Sequence, residues 1–320
     1  MKFRFFALTL GLVMALASGS AFAENAPIDN DAIAALIPAL PENGSGADYL
    51  GYIRASQNAK VKAIETLKAK AKENGQDFTM ANVQAVESAF IQKDIEAATM
   101  GMAAEHCTES AYANLAVFKA QFLFVKWQLL KDPNAQGELL KFTEQLKADG
   151  KDTTLQHVLG KINALNSQIF RARLNACIKA QNAEEMGKLV NEMNAALAAA
   201  NNGKDATPEM AQDAIALMFL VQKVPAYKPN ENLIPKYLNI LSNATNPETK
   251  KIVDNVKGQL VNAIKAAQAK ERQKQEELKK QQEEQKNQEK APEQEEVPEQ
   301  DELPENIIKL LYSHIFRVRS

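Results

Sequence analysis

Few residues of this sequence have the type and spacing that catalysis requires, and Glu87 is the foremost of them. It lies within residues 86–102, an alanine-rich stretch with helical spacing. A carboxyl group with a raised pKa, held in a cleft, is the general acid that cleavage of a glycosidic bond needs. His106 and Cys107 are neighbouring metal-ligand types, but two ligands do not form a site. Glycan cleavage by Glu87 is therefore a remote alternative among the functions that the sequence allows. We predict no metal site.

The four residues Glu87-Ser88-Ala89-Phe90 resemble the start of the lytic-transglycosylase signature, in which a helical Glu is the general acid and a Ser follows it. The resemblance implies glycan cleavage by Glu87. It ends after Phe90, because no Asn-Pro follows and because Gly101-Met102 is not continued by Gln. The other interpretation of this helix places Val83, Val86 and Phe90 in the core and leaves Glu87 solvated.

Other motifs of catalysis and cofactor binding are missing from the sequence. It contains no G-x-S-x-G, no G-x-G-x-x-G and no G-x-x-x-x-G-K, and none of its three histidines belongs to H-E-x-x-H. The 40 acidic residues slightly outnumber the 38 basic ones, a balance that does not favour nucleic-acid binding. We predict no catalytic residue, no cofactor and no nucleic-acid partner, which favours a protein that is not an enzyme.

Residues 1–23 are typical of a secretory signal peptide. Lys2 and Arg4 precede an apolar run over residues 5–17, and Ala21-Phe22-Ala23 has the small-residue pattern of a cleavage site. The apolar run is shorter than the roughly 20 residues that a membrane-spanning helix needs. The most apolar later stretch, residues 115–130, is interrupted by lysines and glutamines. We therefore expect export to a periplasmic or extracellular location.

Cys107 and Cys177 are the two cysteines of the chain. An even number of cysteines in an oxidising compartment favours a disulfide. Such a bridge would close a loop of about 70 residues and stabilise the fold by roughly 4 kcal/mol in the chain-entropy model. The alternative is two separately buried thiols, because a free cysteine packs as a small apolar residue.

The composition favours helices. Alanine accounts for 50 of the 320 residues, whereas glycine and proline number only 13 and 12. No stretch alternates β-branched residues between turn signals, as a strand would. We therefore predict an all-α fold, with a multi-helix bundle over residues 24–267.

Apolar residues spaced by three and four define the helices of this bundle. The helix over residues 109–131 is apolar on all sides, which predicts a central position. The helix over residues 47–74 has a lysine-rich face that we expect to be solvated. The other helices are predicted over residues 30–40, 79–105, 154–181 and 183–200, and a shorter helix follows the break at residues 132–134 and ends near residue 148. Later helices start at Thr207 and Asn246, with a short, kinked connection at Pro225, Pro229 and Pro235 between them. The lysines of the solvated face are Lys60, Lys62, Lys68, Lys70 and Lys72.

A polar arm follows the bundle. Over residues 268–290 Leu278 is the only large apolar residue, and opposite charges such as Glu276 and Lys280 support a long, projecting solvated helix. Its composition is coiled-coil-like, but the apolar a and d positions of a coiled coil are missing. Residues 291–305 repeat a hexapeptide that begins with proline and contain no basic residue, which predicts an extended acidic linker.

Residues 306–320 are predicted to form a short basic amphipathic helix. A helix of this kind binds an anionic membrane surface or a groove on a partner protein. The alternative is a disordered tail whose last residues have no role. The predicted docking face consists of Ile307, Ile308, Leu311, Tyr312, Ile315 and Phe316.

The sequence therefore favours an exported, non-enzymatic interaction or structural protein of the bacterial cell envelope that docks through its C-terminal arm. The alternative is a periplasmic chaperone or ligand-binding helical bundle. The sequence leaves the oligomeric state and the identity of the partner open.

Overall fold

The computed structural model describes residues 30–286, and this part of the chain consists of α-helices and contains no strand. The all-α prediction is confirmed. The helices are α1 (Asn30–Ala34), α2 (Gly46–Glu73), α3 (Met80–Ala103), α4 (Glu109–Gln128), α5 (Pro133–Ala148), α6 (Asp152–Ala180), α7 (Ala183–Ala199), α8 (Pro208–Leu220), α9 (Leu233–Leu241) and α10 (Pro247–Lys286), with a 3-10 turn at Val221–Lys223.

The chain divides into two compact units between Ala176 and Cys177, within α6. The sequence predicts an α-helical bundle over residues 24–267, and these bounds stay a prediction. Unit 1 contains α1 to α5 and most of α6, and unit 2 contains α7 to α10. The predicted signal peptide, the acidic linker and the terminal amphipathic helix lie outside the described residues.

Helix α4 is the centre of unit 1, as its all-round apolar pattern predicts. It packs against α2, α3 and α5. Leu115 and Leu123 are completely buried, and Phe122, Phe124 and Val125 bury the remaining sides of the helix. A helix that is apolar all round is stable in water only when neighbours cover every side.

Polar side chains cap the first turns of several helices, two of them at the starts Thr207 and Asn246 that the sequence indicates. Ser45 and Asp48 form a capping box at α2, which lowers the pKa of the Asp48 carboxyl through hydrogen bonds from Ser45. Thr207 Oγ1 accepts from the Met210 amide at 3.2 Å, with Pro208 in the first helical position. Asn246 Oδ1 accepts from the Glu248 amide at 2.9 Å. These bonds satisfy amides that no helical carbonyl reaches.

In unit 2, α8 is the most buried helix and packs against α9 and α10. Residues 225–235, which contain three prolines, are predicted from the sequence to form a kinked connection. The structure instead has helix α9, which begins at Leu233. Pro235 lies in the first turn of α9, where the missing amide hydrogen leaves no helical bond unmade. Asn232 caps the helix by accepting from the Ile234 amide at 3.0 Å.

Helix α10 is 40 residues long, and only its first part is packed. Val253, Val256 and Leu260 are buried, whereas Ile264, one turn further on, is already 36% exposed. Every residue from 268 to 281 is exposed, so this stretch is a solvated continuation of the helix. At 1.5 Å per residue, residues 268–286 extend the helix by about 28 Å.

Candidate functional site

A group of polar side chains lies between α2 and α3, all of them buried except the half-buried Gln57, and we call it the buried polar cluster. Its α2 members are spaced by four residues along one helix face, with one more beside them, and its α3 members are seven residues apart. Both spacings direct the side chains of each helix toward the other. The members are Tyr52, Ser56, Gln57 and Lys60 from α2, and Glu87 and Asp94 from α3.

A buried ion pair forms one end of the buried polar cluster. Lys60 Nζ lies 2.6 Å from Glu87 Oε2, and the two side chains are 7% and 2% exposed. The predictions that Lys60 belongs to the solvated lysine face and that Glu87 is solvated are therefore wrong. Each charge is buried because it has a partner on the facing helix. The remaining lysines of that face, Lys62, Lys68, Lys70 and Lys72, are exposed as predicted.

Asp94 occupies the other end of the buried polar cluster and is completely buried. Its Oδ2 accepts from Gln57 Nε2 at 2.5 Å. Among the described residues, Asp94 Oδ1 and Ser56 Oγ make no hydrogen bond of normal geometry, although the Ser56 hydroxyl lies close enough to Asp94 to favour its ionised form. Burial raises the pKa of the Asp94 carboxyl to about 7, although interactions with Ser56, Lys60 and Gln57 counteract the rise. Burial therefore favours the protonated form of Asp94.

Two tyrosines connect the buried polar cluster with the segment between α1 and α2. The Tyr52 hydroxyl donates to the Pro38 carbonyl at 3.2 Å, and the Tyr49 hydroxyl donates to the Pro41 carbonyl at 3.1 Å. Burial, followed by the charges of Asp94 and Glu96, raises the pKa of Tyr52 to about 12. Tyr52 therefore stays protonated and holds this segment against α2.

The geometry at Glu87 does not fit a general acid that reaches a glycan. Its carboxylate is bound to Lys60, and the residue is 1% exposed. A general acid must come within hydrogen-bond distance of the leaving-group oxygen. In this arrangement the carboxylate holds together two helices of unit 1, which is a structural task.

The structure does not contain the predicted disulfide between Cys107 and Cys177. Cys107 belongs to unit 1 and Cys177 to unit 2. Each has its own local environment: Cys177 Sγ donates to the Asn182 carbonyl at 3.0 Å, and Cys107 packs beside the core that surrounds α4. The alternative of two separate thiols describes both positions.

Within residues 30–286, no three or more histidine, cysteine or acidic side chains come together in a group that could hold a metal ion. His106 and His157 are both exposed, and His314 lies outside the described residues. In the same part of the chain, no helix is long and apolar enough to cross a membrane.

A depression of about 660 Å³ lies at the C-terminal end of α2 and is open to solvent. Ligand sites of this size usually enclose the ligand with apolar and aromatic side chains. Here Phe78 is the one aromatic lining residue, and charged side chains surround it. The lining comprises Glu65, Lys68, Ala69, Lys72, Gly75, Gln76, Asp77 and Phe78.

From the sequence, Lys60 is placed in solvent and Glu87 is interpreted either as a general acid in a cleft or as solvated, whereas Asp94, Gln57 and Ser56 are missed. One signal was available on α2, because Ile53, Lys60 and Leu67 are spaced by seven residues. Ile53 and Leu67 are core residues, so a lysine between them lies on the buried face. A buried lysine requires an acidic partner, and Glu87 is that partner.

The predicted docking face at residues 307–316 lies outside the described residues. The helix that leads toward it is described as far as Lys286 and is fully exposed from residue 268 to 281. In comparisons with known proteins, the chain matches no family model, no curated protein and no solved structure.

Proposed function

We propose that the chain is an exported, non-enzymatic interaction protein of the bacterial cell envelope, which docks through its C-terminal arm. The arm comprises residues 268–320. The two helical units serve as the folded body from which the arm extends.

The exposed end of α10 is the observation that carries this proposal. Residues 268–281 remain helical although none of their side chains is buried, and Leu278 is 55% exposed. Such a helix gains little from packing within its own chain, because most helical stability in proteins comes from burying an apolar face. A solvated helix is a semi-rigid spacer, which suits the task of holding a docking segment away from the body.

Charge along the sequence supports the same proposal. Residues 291–305 contain acidic but no basic residues, and Lys309, Arg317 and Arg319 follow within residues 306–320. Acidic residues in such a segment repel one another, whereas a basic segment is attracted to an anionic surface. The apolar residues among the basic ones provide the area that binding to a membrane or to a protein groove requires.

Deletion of the arm tests the proposal. We expect the full chain to be recovered with the cell envelope, and a variant that lacks residues 268–320 to be recovered in the soluble fraction. The deletion removes no buried residue described here, so circular dichroism should show that the helical body is retained. Washing with high salt separates an anionic membrane surface from an apolar protein groove, because salt weakens the former binding. Envelope recovery that is unchanged after the deletion would contradict the proposal.

A further inference from the structure

The buried polar cluster contains more acid than base. Glu87 and Asp94 are 1% and 0% exposed, and Lys60 is the cation that acts on both of them. The Lys60 ammonium binds Glu87 at 2.6 Å, which leaves Asp94 with neutral close partners, the amide of Gln57 and the hydroxyl of Ser56. A carboxylate that is buried without a cation of its own loses more hydration energy than neutral partners return. A proton on Asp94 removes this cost.

We propose that the buried polar cluster is a proton-linked switch of unit 1, in which α2 and α3 pack tightly while Asp94 holds a proton and loosen when that proton leaves for solvent. The switch operates in the folded body and is independent of the C-terminal arm. No ligand or partner is needed, because the proton itself binds the packed state more tightly than the loosened state.

The charged groups on the surrounding helices do not offset the excess of acidic over basic side chains in the buried polar cluster. Helix α4 also packs against α3, but its Lys126 binds Gln92 and Asp132, and its Lys119 lies over the ring of Phe142. The charges that act on Asp94 are those of Lys60 and Glu87. Other charged or titratable groups on the helices in contact with α3, and on α3 itself near the cluster, include Asp31 of α1, Tyr52 and Arg54 of α2, Glu109 of α4, and Lys93 and Glu96 of α3.

The direction of the effect follows from the two states of the Asp94 carboxyl. In the packed state its pKa is about 7, and in a loosened, hydrated state it returns toward 3.8. The stabilising contribution of the proton is therefore complete below about pH 4 and is lost as the pH rises through 7. Between pH 6 and pH 8.5 the equilibrium constant for loosening is expected to rise about tenfold.

Amide hydrogen exchange of α2 and α3 in the full chain measures this loosening. We expect exchange, corrected for its intrinsic pH dependence, to be about tenfold less protected at pH 8.5 than at pH 6. In Asp94→Asn this change should disappear, because the amide is neutral at both pH values. Glu96→Gln on the same helix is the matched control, since the Glu96 side chain is 42% exposed, and it should retain the change.

A second measurement does not depend on any variant. The carboxyl carbon of Asp94, followed by NMR in the unaltered chain, should titrate near pH 7 rather than near 4. Titration near 4 would overturn the proposal, and so would an Asp94→Asn variant whose protection changes with pH as in the unaltered chain. If the variant fails to fold, the NMR titration decides alone.

Discussion

Replacing Lys60 with Met is expected to destabilise unit 1 by about 3–5 kcal/mol, because it leaves the buried carboxylate of Glu87 without a cation. The ammonium lies 2.6 Å from that carboxylate, and neither side chain is exposed by more than 7%. Unfolding in urea should reveal the loss through fluorescence, because Trp127 of α4 is the single tryptophan of the chain and reports on unit 1.

Two further variants separate the ion pair from general damage to the helix. The double variant Lys60→Met with Glu87→Leu should recover most of the lost stability, since apolar residues of similar size often replace a buried pair at little cost. Lys93→Met is the surface control: its partner Glu96 is 42% exposed, and the change should alter stability by less than about 1 kcal/mol. A Lys60→Met variant as stable as Lys93→Met would show that the pair is not buried in solution.

Replacing Gly203 with Ala is expected to destabilise unit 2 by about 3 kcal/mol or more, which combines backbone strain with overpacking. The backbone of Gly203 has φ +85, a conformation that L side chains rarely adopt. An added Cβ would lie 2.3 Å from the carbonyl oxygen of Ile240 in α9, and backbone cannot rotate away as a side chain can. Urea unfolding followed by hydrogen exchange of α9 measures the loss.

Gly75→Ala provides the control for the backbone conformation alone. Gly75 has φ +67, but nothing lies within 4 Å of an added Cβ. Its replacement should therefore cost only about 1–2 kcal/mol, the strain of a left-handed residue. Equal losses at Gly75 and Gly203 would contradict the close approach of Gly203 to α9.

The helices are predicted well from the sequence because their signals are local. Thr207 and Asn246 each cap a helix where their residue types and spacing indicate a start. Helix α9 is missed because Pro235 is taken as a break, although proline is tolerated in a first turn. The division at Ala176 lies within a continuous helix, so no turn signal marks it in the sequence.

The buried polar cluster was much harder to predict, because its partners are distant in the sequence. Lys60 and Glu87 are 27 residues apart, and Gln57 and Asp94 are 37 apart. Local patterns place a charged residue on the solvated face of a helix by default. Only the pairing of α2 with α3 shows that these charges are inside, and that pairing is a property of the tertiary fold.

Recovery of face variants with the cell envelope is the most direct test of docking through the arm. In the full chain, Leu311→Asp with Ile315→Asp places two charges on the predicted docking face, whereas Ser313→Asp with Ser320→Asp adds the same charge on the opposite side. We expect the first pair to release the protein into the soluble fraction and the second pair to retain most of it in the envelope. Equal recovery of both variants with the envelope would contradict docking through this face.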